Sequence, residues 1–243
     1  MNSPPQTVCG VLLVDKPVGP TSFRIVQQVR RATGVKKVGH AGTLDPFASG
    51  LLIVCVSRSA TKQIDSFMQG DKEYVATLQL GVETSTLDPE GEVTARHEVP
   101  SLSAAALEEV LAAFRGELLQ APPQFSAVKH KGKPLYHYAR KGVEIKKEPR
   151  PITIHELELL EQQQDRLQLR VVCSKGTYIR VLAADIGTAL GCGAHLTSLR
   201  RTASGLFRVE ESVDGNLLTT PAAPALVAAN LLAVEECLAR GQD

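Results

Sequence analysis

The sequence lacks any long hydrophobic run. Its longest uninterrupted apolar stretch, Leu51 to Val56, is six residues, where a bilayer span needs about twenty. The opening MNSPPQTVCG also lacks the apolar core of a signal peptide. Both absences point to the cytoplasm. Paired cysteine motifs are missing too: the five cysteines, Cys9, Cys55, Cys173, Cys192 and Cys237, are odd in number and contain no C-x-x-C. Several lie among apolar neighbours, so buried reduced thiols are expected, with no disulfide and no metal site. There is no composition bias of the disordered or fibrous kind, since 43% of residues are hydrophobic and 22% charged. A chain of 243 residues can bury roughly 70–75% of its unfolded surface.

Net charge is nearly absent as well, at +1, which at first argues against a nucleic-acid partner. The distribution reverses that impression. Lys129 to Arg150 holds eight Lys or Arg against two acids, and Glu83 to Glu109 holds seven acids against one Arg. A chain neutral overall but divided in this way still presents a basic surface to an anion.

Hydrophobic patterning places the elements. Val11 to Val14 forms a short buried strand ending in a Lys-Pro-Val-Gly turn. A helix follows with Thr21 or Ser22 as N-cap, Phe23, Val26 and Val29 on its apolar face, and Gly34 as its stop. Leu51 to Val56 is a fully buried strand and Ala60 to Met68 a short helix. KEYVATLQLG alternates Tyr74, Ala76, Leu78 and Leu80 on one face. The turn-rich TSTLDPEGEV links it to another strand, and Ser103 caps a helix with Leu107, Val110, Leu111 and Phe114 inward, closed by Gly116.

APPQFSAVKHKGKPLYHYARKGVEIKKEPRP, rich in proline and base, reads as an inserted excursion over about residues 124–151. ITIHELELLE and RLQLRVVCS form a hairpin through Gln163 to Asp165; KGTYIRVLAADIGTALG turns into a helix, and AHLTSLRRTASGLFRV carries a last strand near Phe207. The class is mixed α/β (α+β), with a largely antiparallel mixed sheet flanked by helices. Residues 8–212 form the main domain and 213–243 a tail with one terminal helix.

GHAGTLDPFASGLLIVCV sets one carboxylate, Asp45, in a glycine-rich loop just before the most apolar strand. Asp-Pro alone most often begins a type I turn without chemistry. The chain also carries, in order, LLVDKPVGPTS, GDKEYVATLQLGVETSTLDPEGEV, PPQFSAVKHKGKPLYHYARKGVEI, CSKGTYIRVLAADIG and GAHLTSLRRTASGLF. Together these strongly resemble the bacterial tRNA pseudouridine-55 synthase family, known as TruB, from about Gly10 to Phe207.

The resemblance implies a pseudouridine synthase fold and isomerisation of a T-loop uridine. The N1–C1′ bond breaks, the detached uracil rotates, and C5 joins the ribose, with no redox change and hence no cofactor. It implies that Asp45 is the catalytic carboxylate, which either attacks C1′ or supports an elimination and re-addition. Glycosidases normally need two carboxylates; here the base is retained and water excluded, so one suffices.

By the same resemblance Arg180 pairs with that carboxylate, Tyr74 stacks on the target base, Tyr178 and Leu199 shape the pocket, His40 fills the space of the flipped nucleotide, and Lys16 and Pro17 shape its floor. The basic excursion grips RNA with Tyr136 and Tyr138 as stacking surfaces, and a flipped base costs a few kcal/mol of unstacking. The implied partner is the tRNA T-arm, with the protein a monomer. The family's small C-terminal PUA-like domain is expected to be absent, because the stretch after Leu217 is too short for it. The competing interpretation is a non-catalytic RNA-binding or RNA-folding protein that uses the same cleft.

Overall fold

A computed structural model describes residues 8–240; most of the N-terminal stretch considered for a signal peptide lies outside the described residues. Along the chain come β1 (Gly10–Lys16), α1 (Ser22–Thr33), β2 (Val38–Ala41), β3 (Ser49–Val56), α2 (Ser57–Thr61), α3 (Ile64–Phe67), β4 (Lys72–Leu80), β5 (Val82–Thr84), β6 (Val93–Arg96) and α4 (Ala104–Ala112). Next are β7 (Gly116–Gln120), β8 (Lys129–His130), β9 (Lys133–Pro134), α5 (Leu135–Ala139), β10 (Arg150–Gln163), β11 (Arg166–Cys173) and α6 (Ile179–Ala189). The last elements are β12 (Ala194–Ser204), β13 (Phe207–Arg208), β14 (Val213–Asp214), α7 (Ala223–Asn230) and α8 (Val234–Ala239). Two compact units result, one of the residues up to Lys72 with those from Arg200 onward, the other Glu73–Leu199. No helix among the described residues is long and apolar enough to cross a membrane.

The first unit is a mixed sheet in the order β14-β1-β3-β12, with β2 on β3 and β13 on β12. β1 and β3 run antiparallel, Leu13 opposite Ile53, while β14 joins β1 and β12 joins β3 in parallel. Alternate side chains divide between two cores. Val11, Leu13, Leu51, Ile53 and Cys55 pack with Phe67, Phe207 and Val234. Leu12, Val14, Leu52, Val54 and Val56 pack with Ile25, Val26 and Val29 of α1 and with Val227 of α7. The run Leu51 to Val56 is unbroken because β3 is buried on both faces.

Helix α1 has the expected ends: the Thr21 side chain accepts from Arg24 N, and Gly34 closes it at φ 68. Its inward stripe is Ile25, Val26 and Val29, not Phe23, which is 53% exposed. At 3.6 residues per turn Phe23 lies about 120° round the helix from Val29 and about 160° from Ile25. There it packs under the Arg30 guanidinium, 5.7 Å from the ring centroid.

The second unit follows the order β12-β4-β11-β10-β7. β10 and β11 form the expected hairpin, Gln163 opposite Arg166, turning at Gln164 with φ 47. Tyr74, Ala76, Leu78 and Leu80 of β4 are buried as the alternation predicts. Ser103 caps α4 by accepting from Ala106 N at 3.2 Å, and Leu107 and Leu111 are fully buried. β8, β9 and α5 lie within the basic excursion, apart from the main sheet.

Several elements differ from the sequence expectation. The helix expected at Ala60 to Met68 is two short ones, α2 and α3, because Gln63 leaves helical geometry at φ −97, ψ 6. β2, within the stretch read as a glycine-rich loop, and β7, a stretch given no element, are short strands; four and five residues with an internal or leading glycine show no clear alternation. The stretch expected to carry one last strand near Phe207 holds two, the eleven-residue β12 and the two-residue β13 at Phe207–Arg208, and β14 follows them. The single terminal helix is α7 and α8, interrupted where Leu231 turns extended and Leu232 exchanges backbone hydrogen bonds with Val11 at 2.9 Å. All five cysteines are free; four are buried and Cys9 is exposed.

Candidate active site

Asp45 stands between β2 and β3, and its carbonyl accepts from Ala48 N at 3.2 Å, the bond of the turn that Asp-Pro predicts. Leu44, Phe47 and Ala48 are buried on either side of it, so the turn is anchored while Asp45 stays half-buried. Three side chains fix the loop from long sequence distances. Ser22, first residue of α1, accepts from Leu44 N and donates to Leu44 O, both at 2.9 Å. Lys16 at the end of β1 is fully buried. Its ammonium donates to the carbonyls of Pro17 at 2.9 Å, Pro20 at 2.8 Å and Pro46 at 3.3 Å, replacing part of the hydration it loses.

The third clamp is Arg201 of β12, 2% exposed, which donates from Nε to Leu51 O at 2.7 Å and from Nη2 to Gly42 O at 3.2 Å. The close approach dictates glycine at position 50. Its φ is +102, and a Cβ there would stand 2.2 Å from Arg201 O. His40 on β2 is held below the ordinary histidine pKa, first by burial and then by the Arg201 charge, with a Gly42 backbone hydrogen bond pulling the other way. Its Nδ1 is buried without a hydrogen-bond partner. The imidazole is therefore neutral at pH 7.

In the second unit Arg180, the second residue of α6, is 3% exposed. Nη1 donates to Thr86 O at 2.9 Å and lies 3.2 Å from Asp88 Oδ2; Nη2 donates to Phe125 O at 2.8 Å. Asp88, also 3% exposed, accepts from the Thr86 hydroxyl and, at 3.0 Å, from Glu90 N. Tyr178 precedes α6 as its N-cap residue. The Gln120 amide of β7 holds its peptide from both sides, accepting from Tyr178 N at 2.7 Å and donating to Tyr178 O at 3.1 Å.

Within the first unit the structure thus brings Lys16, Pro17 and Asp45 to one loop system, with His40 on the adjoining strand. Within the second it sets Tyr178 and Arg180 at one helix start, and places Tyr74 and Leu199, 9% and 6% exposed, on the neighbouring strands β4 and β12. Sequence reasoning does not single out Asp88, Gln120 or Arg201, and offers Ser22 only as an alternative N-cap. For Asp88 a signal exists: Thr-Leu-Asp-Pro occurs twice, at 43–46 and at 86–89.

The family model for the N-terminal domain of TruB family pseudouridylate synthases matches residues 30–179. The model for the tRNA pseudouridylate synthase B C-terminal domain matches residues 180–235, and so takes in α6, β12 and α7 together. A tRNA pseudouridine synthase B of Desulfotalea psychrophila is 61% identical over 84% of this chain and 85% of its own length. One of Francisella philomiragia subsp. philomiragia is 51% identical over 84% of this chain and 68% of its own. A chain in the crystal structure of a Cbf5-Nop10-Gar1 complex superposes with a TM-score of 0.71 at 29% identity, covering 95% of this chain; this chain spans 62% of that one.

Fold and relatives together define a pseudouridylate synthase, an isomerase with a mixed α/β fold. The chain belongs to the TruB family of these enzymes.

Proposed function

We propose that this chain converts uridine 55 in the T-loop of tRNA to pseudouridine, with Asp45 as its catalytic carboxylate. The observation that carries this reading is the loop itself: a half-buried carboxylate on a turn fixed by Ser22, Lys16 and Arg201. Fixed anionic charge is what the reaction needs. As the N1–C1′ bond lengthens, positive charge grows on the ribose as in glycoside cleavage, and a carboxylate that does not have to reorganise stabilises it. The uracil leaves through N1 and returns through C5; C5 loses a proton and N1 gains one, so atoms and electrons balance without a co-reactant.

His40, Tyr74, Tyr178, Arg180 and Leu199 bind the substrate in this reading. A neutral His40 fits the space left by a flipped nucleotide without adding charge. Tyr74 offers a ring to stack on the base, and Arg180 a fixed guanidinium. The basic excursion grips the T-arm through Lys129, Lys131, Lys133, Arg140 and Lys141, with Tyr136 as an exposed ring beneath the Arg140 guanidinium at 5.5 Å. The enzyme acts in the cytoplasm as a monomer and without a cofactor.

The test is carbodiimide-primed reverse-transcription mapping of an unmodified tRNA transcript after incubation with wild type or Asp45→Asn. A new stop at the T-loop uridine with wild type only is the expected result. No stop from either protein, with tRNA still bound, would replace this reading with that of a binding protein.

A further inference from the structure

The basic excursion is closed at its root by one side chain. The Gln124 amide donates from Nε2 to Ile145 O at 3.1 Å and accepts from Ile145 N at 3.0 Å. This two-point pairing ties together residues twenty-one positions apart. The next residue is Phe125, whose carbonyl receives Arg180 Nη2 at 2.8 Å. The other end of that guanidinium is fixed by Thr86 O and Asp88. The carbonyl of the residue next to Gln124 is therefore among the acceptors that set the Arg180 plane.

Beyond the root, little else holds the excursion. Leu135 is fully buried, its N–H bonds to Val128 O at 2.8 Å, and Tyr136 N bonds to Ser126 O at 3.2 Å. Ser126 is 5% exposed, yet its hydroxyl has no hydrogen-bond partner. A buried hydroxyl without a partner is unfavourable, so this packing is not a deep minimum, and the Gln124 clamp matters correspondingly more. Tyr138 and Lys147 both reach His130, through its carbonyl at 3.0 Å and its Nδ1 at 3.4 Å, and those contacts stay within the excursion.

We infer that Gln124 is a positioning residue that couples RNA capture by the basic excursion to the orientation of Arg180. This rests on the proposed function, in which Arg180 binds the target nucleotide. Force applied to the excursion by bound RNA reaches the Phe125 peptide through Gln124 and Ile145, and the Phe125 carbonyl passes it to Arg180. Gln124 needs no contact with RNA for this. Its effect falls on turnover, whereas a clamp that merely kept the excursion folded would alter binding alone.

The experiment compares wild type with Gln124→Ala and Gln124→Glu on a tRNA transcript. Gln124→Ala removes both bonds; Gln124→Glu keeps the acceptor for Ile145 N and loses the donor to Ile145 O. Expected for Gln124→Ala is a fall in kcat of about tenfold, the scale of one or two hydrogen bonds, with tRNA affinity changed less than threefold. Gln124→Glu falls between it and wild type. Loss of affinity with kcat unchanged would overturn the inference.

A second readout does not depend on activity. Amide hydrogen exchange without RNA should rise in Gln124→Ala both at residues 124–146 and at the start of α6 around Arg180. A rise confined to 124–146 would overturn the coupling whatever the enzyme proves to act on. Wild type that fails to form pseudouridine, with the exchange result as expected, would refute the proposed function and leave the mechanical link standing.

Discussion

The Asp45 loop and the basic excursion from Gln124 to Arg150 both look irregular in sequence, yet they fold on opposite terms. Around Asp45 nearly every second residue is buried, and Lys16, Ser22 and Arg201 converge on its backbone from elements up to 159 positions away. From Gln124 to Arg150 only Ser126 and Leu135 are buried, and most of the hydrogen bonds close within the segment, apart from the Arg180 bond to Phe125 and the pairing of Arg150 with β7. Chemistry at C1′ requires charge held in a fixed place. Capture of a polyanion requires charge that can adapt, and for that an exposed segment with few buried contacts is suited. In the proposed function the same chain supplies rigidity where a bond is broken and compliance where phosphate is gripped.

The sharpest way to break this comparison is to load both regions alike. Gly50 and Gly132 both have positive φ, +102 and +79, but a Cβ at Gly50 meets Arg201 backbone at 2.2 Å and one at Gly132 meets nothing within 4 Å. Gly50→Ala should lose about 4 kcal/mol or more, as a backbone clash adds to strain. Gly132→Ala should lose about 1–2 kcal/mol, the strain alone. Denaturant midpoints check both, and equal losses would mean that the two regions are equally constrained.

Next in size is Asp88→Asn, which removes the carboxylate charge that Arg180 Nη1 meets at 3.2 Å in a buried setting. Breaking such a pair from one side costs about 3–5 kcal/mol, and urea unfolding should show it. A loss below about 1 kcal/mol would mean that the pair is solvated. On the compliant side, Lys131→Glu, Lys133→Glu and Lys141→Glu together should weaken tRNA binding by about a hundredfold at low salt, shrinking as salt rises, with the unfolding midpoint nearly unmoved. A salt-independent loss would assign those residues a structural role.

The smallest effect concerns His40. Its folded pKa lies below its ordinary value of 6.5, so between the two values the unfolded chain binds more protons than the folded one. Stability then rises with pH across that window, is fully present above 6.5, and is lost as pH falls through it. The non-titrating His40→Gln should show a flatter profile below 6.5; identical slopes would show that His40 is solvated.

What was legible in the sequence was local. Thr21 and Gly34 mark α1, Ser103 starts α4, and alternation fixes β4 and the β10–β11 hairpin, because caps and two-residue periods act over a few positions. Asp-Pro likewise announced the turn at Asp45. The clamps on that turn were not legible, since Arg201 reaches Gly42 across 159 positions and nothing near either residue signals the other. Asp88 was hidden inside a stretch that composition marks as a turn, although it is as buried as Arg180. β2 and β7 escaped because short strands carry too little pattern, and Phe23 misled because a three-residue spacing drifts off a helix face.

The measurement that tests the central claim most directly is the single-turnover rate of pseudouridine formation at saturating tRNA, taken with the tRNA dissociation constant, for Asp45→Asn and for the triple Lys-to-Glu variant. Asp45→Asn should lose the rate by about 10⁴-fold or more, as when a covalent catalyst's central group is removed, while binding stays close to wild type. The triple variant should bind more weakly yet react at the wild-type rate once saturated. Rate and affinity falling together in both variants would contradict the division of labour between a rigid carboxylate loop and a compliant RNA grip.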